Sequence, residues 1–305
     1  MELHQLRYFV AVAQSGNFSR AAERCHVSQP SLSQQILKLE RRLGQPLFNR
    51  LGRRAVLTDA GRLLLDRATA ILASIDDAER RLRAGDDQHG GRLAIGAIPT
   101  IAPYLLPPTL GGFVRRCPKV ELTVREDVTQ HLVAAVVEGE LDLAMVALPI
   151  PDDRLVAEPL LSEVLLVALA PGHPLTRLRR ITLQHLAEER FILLNEMHCL
   201  GEQVLNFCRA NECQPQIACR SAQIATLQSL IALGQGVSLL PDMARRTDHS
   251  RSLVYRPLAK DPPRRTIAVI WHRHHYHSPM AERFLAELRR WAAEMQVPWD
   301  GNTGK

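Results

Sequence analysis

The 305-residue sequence predicts an α+β multidomain protein, and three observations carry that reading. Apolar residues recur at helical spacing through most of the first 84 residues. A polar, glycine-bearing stretch follows at 85–91. Beyond it, short apolar runs alternate with helical stretches. The composition agrees: 46% hydrophobic and 23% charged residues is the balance of a soluble globular protein, which excludes a mostly disordered or fibrous chain. No apolar run reaches the roughly 18–20 residues of a membrane span, and no basic-then-apolar leader opens the sequence. A cytoplasmic protein without membrane contact is therefore expected. In that compartment Cys25, Cys117, Cys199, Cys208, Cys213 and Cys219 are expected to rest as thiols rather than as a disulfide scaffold.

The net charge of +6 is concentrated at one end. Residues 1–60 hold nine basic and four acidic side chains, whereas the remaining 245 residues are nearly neutral. A compact basic segment on a neutral body points to a nucleic-acid contact. Within it, Leu3, Leu6, Val10 and Ala13 keep helical spacing up to Ser15-Gly16-Asn17. Ser19 is placed to cap a short second helix whose Ala21, Ala22 and Cys25 let a neighbour approach closely. Ser28 then caps a third helix with Pro30 in its first turn, where a missing N–H costs little. Leu32, Ile36, Leu39 and Leu43 form its apolar stripe, and at about 100° per residue Ser31, Gln34, Lys38 and Arg41 face away from it. This is the pattern of a helix-turn-helix, whose second helix enters the DNA major groove. Gln29, Ser31, Ser33 and Gln34 supply groups that bond base edges, and Lys38 suits phosphate. The stretch 46–58 reads as a two-stranded wing, with Arg50, Arg53 and Arg54 at its tip directed to the DNA backbone or minor groove. Residues 1–60 are thus a winged helix-turn-helix domain.

Thr58 is placed to cap a linker helix over 58–84. Leu64, Ala68, Ile71, Ile75, Ala78 and Leu82 step by four and three, as in a coiled-coil seam, which implies a homodimer presenting two recognition helices. Residues 85–91 read as a hinge. From Arg92, strands over 92–98, 120–126, 141–147, 164–170, 191–194, 237–240 and 264–271 alternate with helices, implying an open, largely parallel sheet that binds ligands beyond the carboxyl ends of its strands. The His272–His277 run, with four histidines, reads as an exposed loop rather than a metal site, and neither a cofactor fingerprint nor a hydrolase motif is present.

Cys199 and Cys208 stand out. Leu194 ends a strand, so Cys199 opens the next helix, where the N-terminal dipole favours thiolate. Leu200, Val204, Phe207 and Cys208 share that helix's apolar face. Nine residues of helix separate the sulfurs by about 13–14 Å along the axis, while a disulfide needs Cα atoms within roughly 7 Å. The pair can bridge only if the segment unwinds. Two cysteines in one helix also serve as small core residues, so spacing alone leaves both roles open.

The runs Gly16-Asn17-Phe18-Ser19, Ser28-Gln29-Pro30-Ser31-Leu32-Ser33, Leu39-Glu40, Leu43-Gly44, Leu47-Phe48 and Leu57-Thr58 together resemble the LysR-type transcriptional regulators. The resemblance implies two Rossmann-like α/β subdomains, as in periplasmic binding proteins. They would form a regulatory domain over 92–297, with subdomain one at 92–163 plus 268–297 and subdomain two at 164–267. Ile98-Pro99-Thr100, Thr129, the Cys199/Cys208 spacing, Leu239-Leu240-Pro241 and Pro263-Arg264-Arg265-Thr266 are similar to the peroxide-sensing branch of that family. What the similarity implies is an activator, not an enzyme. Hydrogen peroxide would oxidise Cys199 to a sulfenic acid, and Cys208 would resolve it as a disulfide. Thr100, Thr129, His198 and Arg265 would form the peroxide pocket. Operator DNA, RNA polymerase, cellular thiol reductants and further copies of the chain, up to a homotetramer, would be its partners. Met197, Gly201 and Glu202 depart from the branch's pattern, and Cys213 and Cys219 are additional thiols able to compete as resolving partner. The rival expectation is a LysR-type regulator controlled by a metabolite in the inter-subdomain cleft, with inert cysteines. A thiol peroxidase is a further rival, and the basic N-terminal segment argues against it.

Overall fold

The computed structural model describes residues 1–51, 54–84, 90–195, 199–211, 213, 215–248 and 251–295. The described chain divides into two compact units, the residues up to Gly91 together with His272–Ser278, and the remainder from Arg92.

The first unit holds α1 (Leu3–Ser15), α2 (Phe18–Arg24), α3 (Gln29–Leu43), β1 (Phe48–Leu51), β2 (Arg54–Leu57) and α4 (Asp59–Ala84). The capping residue of α2 is Asn17 rather than Ser19: its carboxamide accepts the Ser19 and Arg20 N–H groups at 2.8 and 3.2 Å. Asn17 directly precedes the first helical residue, where its side chain reaches the N–H groups that lack intrahelical partners. Ser28 caps α3 as expected, accepting Ser31 N–H at 3.3 Å. Gly16 and Gly44 end α1 and α3 in the left-handed region, with φ of 63° and 72°. Leu32, Ile36 and Leu39 are fully buried with Leu6, Phe9 and Val12, and Phe48 packs its ring against Phe9 and Phe18 at 5.3 and 5.6 Å. Leu43, expected on the same stripe, is exposed. The β1–β2 hairpin pairs Arg50 with Ala55 and Leu51 with Arg54. Ala55 N–H bonds the Gly16 carbonyl at 2.9 Å and fixes the wing to the end of α1.

Thr58 starts α4, accepting Gly61 N–H at 3.0 Å and donating to the Pro46 carbonyl at 2.7 Å. A Cβ on Gly61 would collide with the Leu47 carbonyl. The linker seam divides into two parts. Ala68 is fully buried in the winged domain's own core and Leu64 packs against it, because α4 runs back along α1. Farther along, Ile71 and Ala78 are exposed and Ile75 is half-buried, which leaves that stretch open to a partner. The side chain of Leu82 and residues 85–89 of the expected hinge lie outside the described residues, and Gly90-Gly91 already belong to a strand. The histidine run is not a simply exposed loop. His272 is buried and stacks on His275 at 3.7 Å, and its Nε2 lies 3.8 Å from an Asp66 carboxylate oxygen of α4. Burial and the neighbouring imidazoles push His275 down to about 4. Among the described residues no three His, Cys, Asp or Glu side chains converge as metal ligands.

The second unit runs β3 (Gly90–Ala97), α5 (Ala102–Arg116), β4 (Lys119–Glu126), α6 (Thr129–Val137), β5 (Leu143–Ala147) and β6 (Leu155–Leu169). There follow α7 (Leu183–Ala187), β7 (Arg190–Leu194), α8 (Cys199–Ala210), β8 (Gln216–Ser221), α9 (Ile224–Ala232), β9 (Ser238–Pro241), α10 (Asp242–Arg246), β10 (Val254–Arg256), β11 (Arg264–His272) and α11 (Pro279–Met295). The main sheet has the order β10-β6-β11-β5-β3-β4, with β9 also on β6, and β7 pairs with β8 separately. It is mixed rather than largely parallel. β3–β5 and β7–β8 are parallel, while β11 on β5 and β9 and β10 on β6 are antiparallel. The chain leaves one hydrophobic core along β6 and returns along β11, and these two strands bring the antiparallel pairings. Two cores result. One gathers Leu93–Leu161 residues with Ile267, Val269 and the buried face of α11. The other gathers Leu165–Leu258 residues, including Leu200, Val204 and Cys208 of α8.

Candidate functional site

The outer face of α3 is the first candidate. Gln29, Ser31, Gln34 and Lys38 are exposed along it, and Ser33 is half-buried on its flank. Gln5 of α1 donates to Gln35 at 3.2 Å, and Glu40 accepts the Leu47 and Phe48 N–H groups at 2.7 and 3.3 Å, so α3 is held at its middle and towards its C-terminus. Arg50 and Arg54 lie on the two wing strands, and Arg53 lies outside the described residues.

The second candidate forms where three βα connections meet. Thr100 follows β3, Thr129 opens α6 after β4, and Cys199 opens α8 after β7. Arg265 joins them from β11. Its guanidinium is fully buried and bonded on every side: Nε to Glu163 Oε1 at 2.7 Å, Nη1 to Thr100 Oγ1 at 3.0 Å, and Nη2 to the Thr100 carbonyl at 3.1 Å. Glu163 Oε2 also accepts Met243 N–H at 2.9 Å. The pair sits where the chain changes cores. Glu163 falls between Leu161 of one core and Leu165 of the other, and Arg265 precedes Ile267. Tyr104 packs against both cores beside the pair, and burial pushes its phenol up.

Cys199 is half-buried against this group, beside Thr129 and within the field of Arg265. Burial raises its thiol above the ordinary range, outweighing the Arg265 charge, the Thr129 hydroxyl and the helix-terminal N–H groups that pull it down. The pull toward thiolate expected from the helix N-terminus is outweighed, because desolvation penalises the charge more than the pocket's dipoles reward it. The structure thus brings Thr100, Thr129, Cys199 and Arg265 together, while His198 lies outside the described residues. Sequence reading missed Glu163. The signal available was a buried arginine in need of a carboxylate, but the two are 102 residues apart.

Cys208 is fully buried in the second core with Leu200 and Val204, as expected, while Phe207 is only partly buried and Leu205 takes its place. Burial, reinforced by the neighbouring Cys213 thiol, pushes Cys208 up to about 12. Gly201, one of the departures from the family pattern, is set by close packing, since a Cβ there would collide with the Leu194 carbonyl at the end of β7.

A winged helix-turn-helix, a long connecting helix and a two-core α/β unit with a polar group at its strand ends define a DNA-binding regulator with an effector domain. Residues 3–62 match the model for bacterial regulatory helix-turn-helix proteins of the lysR family, and residues 86–293 match that for the LysR substrate binding domain. The chain belongs to the LysR family. Its similarity is to the OxyR proteins of that family. It is 36% identical over 293 residues to the DNA-binding transcriptional dual regulator OxyR of Escherichia coli K12, covering 95% of each chain. It is 35% identical over 272 residues to the hydrogen peroxide-inducible genes activator of Pectobacterium carotovorum, covering 89% of this chain and 90% of the relative. Among solved structures, the full-length OxyR C199D protein of Pseudomonas aeruginosa superposes with a TM-score of 0.69 at 33% identity, covering 96% and 94% of the two chains.

Proposed function

We propose that the chain is a cytoplasmic transcription regulator of oxidative-stress genes that senses hydrogen peroxide through a reversible Cys199–Cys208 switch. It acts as a regulator, not as an enzyme. The observation that carries the proposal is the placement of Cys199, half-buried at the start of α8 beside Thr129 and Arg265, with Cys208 sealed in the other core on the same helix. In this reading Thr100 and Thr129 hold peroxide by their hydroxyls, Arg265 supports the pocket by orienting Thr100, and His198 polarises the site. The Cys199 thiolate attacks one peroxide oxygen, the O–O bond breaks, the departing hydroxide takes up the proton the thiol gave away and leaves as water, and a sulfenic acid remains. The Cys208 thiol then displaces water from that sulfur. Cys208 can reach it only by leaving α8, which gives up the burial of Val204 and Leu205, about 1.5–3 kcal/mol for each large side chain. The bridge must offset that cost, so it is more readily reduced than a structural disulfide and cellular thiols can reset it.

The same reading divides the chain into a DNA-binding domain at 1–60, a linker at 58–84, a hinge expected at 85–91, of which Gly90 and Gly91 start β3, and a regulatory domain at 92–297. Its partners are operator DNA, RNA polymerase and further copies of the chain. Dimers form through the exposed part of the α4 seam and pair into tetramers. Among the described residues no helix is long and apolar enough to cross a membrane. The test is intact-mass analysis after one equivalent of hydrogen peroxide, followed by peptide mapping. A bridged Cys199–Cys208 peptide is expected. A chain that keeps both thiols free would overturn the sensor reading in favour of a metabolite-controlled regulator.

A further inference from the structure

Cys208 already has a thiol partner in the folded protein, and it is not Cys199. Cys213, five residues further along and just past the end of α8, is buried in the same core. Its thiol neighbours that of Cys208 and donates to the Leu183 carbonyl at 4.0 Å. The chain turns sharply between them, and Cys213 N–H bonds the Cys208 carbonyl at 2.9 Å. With standard backbone dimensions, that bond limits the two Cα atoms to about 6.8 Å apart, inside the roughly 7 Å that a disulfide tolerates. Cys199 and Cys208 stand at opposite ends of a continuous helix, about 13–14 Å apart along its axis. One bridge fits the native backbone, and the other destroys it.

We propose that Cys208 and Cys213 form a second redox site that takes over the oxidation from Cys199 and so limits how long the switched state lasts. The proposal rests on the sensor reading. Once the Cys199–Cys208 bond exists, the Cys213 thiolate attacks the Cys208 sulfur. The Cys208–Cys213 bond forms, the Cys199–Cys208 bond breaks, and Cys199 leaves as a thiolate that takes up the proton Cys213 gave away. Two electrons' worth of oxidation, first supplied by hydrogen peroxide, is conserved. Cys213 stays close to Cys208 however far α8 unwinds, because only four residues separate them, so the attack is intramolecular at high effective concentration. The direction of the exchange follows from the fold: the product lets α8 re-form and returns its apolar face to the core. While Cys208 is held by Cys213, a newly oxidised Cys199 has no resolving partner, so the chain does not switch again until a cellular thiol reduces the pair.

The test is a time course in thiol-free buffer after one equivalent of hydrogen peroxide, with samples quenched by an alkylating agent. Cleavage after Glu202 parts Cys199 from Cys208, and cleavage after Arg209 and Glu212 parts Cys208 from Cys213. Peptide fragmentation distinguishes Cys213 from Cys219. In the wild-type chain the Cys199–Cys208 linkage is expected first, then its loss as the Cys208–Cys213 linkage appears and Cys199 becomes alkylatable again. In Cys213→Ser and Cys213→Ala the first linkage persists. In Cys199→Ser the Cys208–Cys213 linkage does not form, because oxidation enters only at Cys199. A wild-type Cys199–Cys208 linkage as lasting as in the Cys213 variants overturns this proposal and leaves the sensor reading standing. A chain that never forms the first linkage overturns both. The second linkage arising in Cys199→Ser overturns the transfer.

Discussion

α3 and α8 are both amphipathic helices seated by an apolar stripe, and they carry function in opposite ways. α3 buries Leu32, Ile36 and Leu39 and offers its other face, with Gln29, Ser31, Gln34 and Lys38, outward. Its chemistry is on its own surface and needs only that the helix be held. α8 buries Leu200, Val204 and Cys208, and its chemistry lies in what its two ends touch. Cys199 meets Thr129 and Arg265, which come from elements far away in sequence, and Cys208 meets Cys213. A helix that displays its function tolerates change around it. A helix whose function is its contacts does not.

The sharpest test of that difference is Cys199→Ser, which should abolish reaction with peroxide completely while leaving operator binding by α3 in place. Free-thiol titration and gel-shift titration check the two halves. Loss of both together would show that the helices are not separable.

The next largest effect is expected at Arg265. Arg265→Ala leaves the Glu163 carboxylate buried without its cation, and breaking such a pair costs about 3–5 kcal/mol. Denaturant unfolding measures it. The double variant Glu163→Gln with Arg265→Met should regain much of that loss, because no charge is then left stranded. If Arg265→Ala costs no more than an average surface change, the pair does not hold the site.

At Gly201, alanine should cost about 1–3 kcal/mol, since the added carbon presses on the Leu194 carbonyl. Gly111, in α5 with open space around it, is the control. There alanine should stabilise by about 0.5–1 kcal/mol through helix propensity alone. Equal and small effects at both positions would mean that α8 is seated loosely. On α3, Gln34→Ala should cost about 1–3 kcal/mol at a single base pair and reorder operator preference. Lys38→Ala should weaken all sequences alike and reduce the salt slope by about one. An unchanged order of operator affinities with Gln34→Ala would remove α3 from the groove.

The same contrast decides what could be read from the sequence. The face of α3 follows from a 100° periodicity, so its exposed residues were legible without any tertiary contact. Cys199 at a helix start and Cys208 on its apolar side were legible for the same reason. The Arg265–Glu163 pair was not, because it depends on where β6 and β11 cross between cores, and no local pattern records a partner 102 residues away. Asn17 displaced Ser19 as the α2 cap by a two-residue boundary shift, which local propensities do not resolve. The linker seam was legible as a seven-residue pattern, but not which of its positions pack on the chain's own α1.

The last difference separates the helices by pH. α3 holds neither histidine nor cysteine. α8 depends on a thiol that burial has raised, with Arg265 and Thr129 pulling the other way and losing. Because the thiolate is the nucleophile, the rate of Cys199 oxidation should climb about tenfold per pH unit from ~6.5 upward. It should still be climbing at ~8.5, where an ordinary cysteine would level off. Stopped-flow loss of thiol against pH measures this, and a plateau below pH ~7 would mean that the pocket lowers the thiol after all. The linked stability has the opposite sign. A folded-state value raised above the unfolded one contributes stability that is complete below the unfolded value and is lost as pH rises through the folded one. For Cys208, pushed up to about 12, that window runs from ~8.5 to about 12. Alkaline conditions that speed Cys199 should therefore also loosen the seat of α8, and Cys208→Ala should flatten the alkaline fall in stability without changing the pH dependence of Cys199 oxidation.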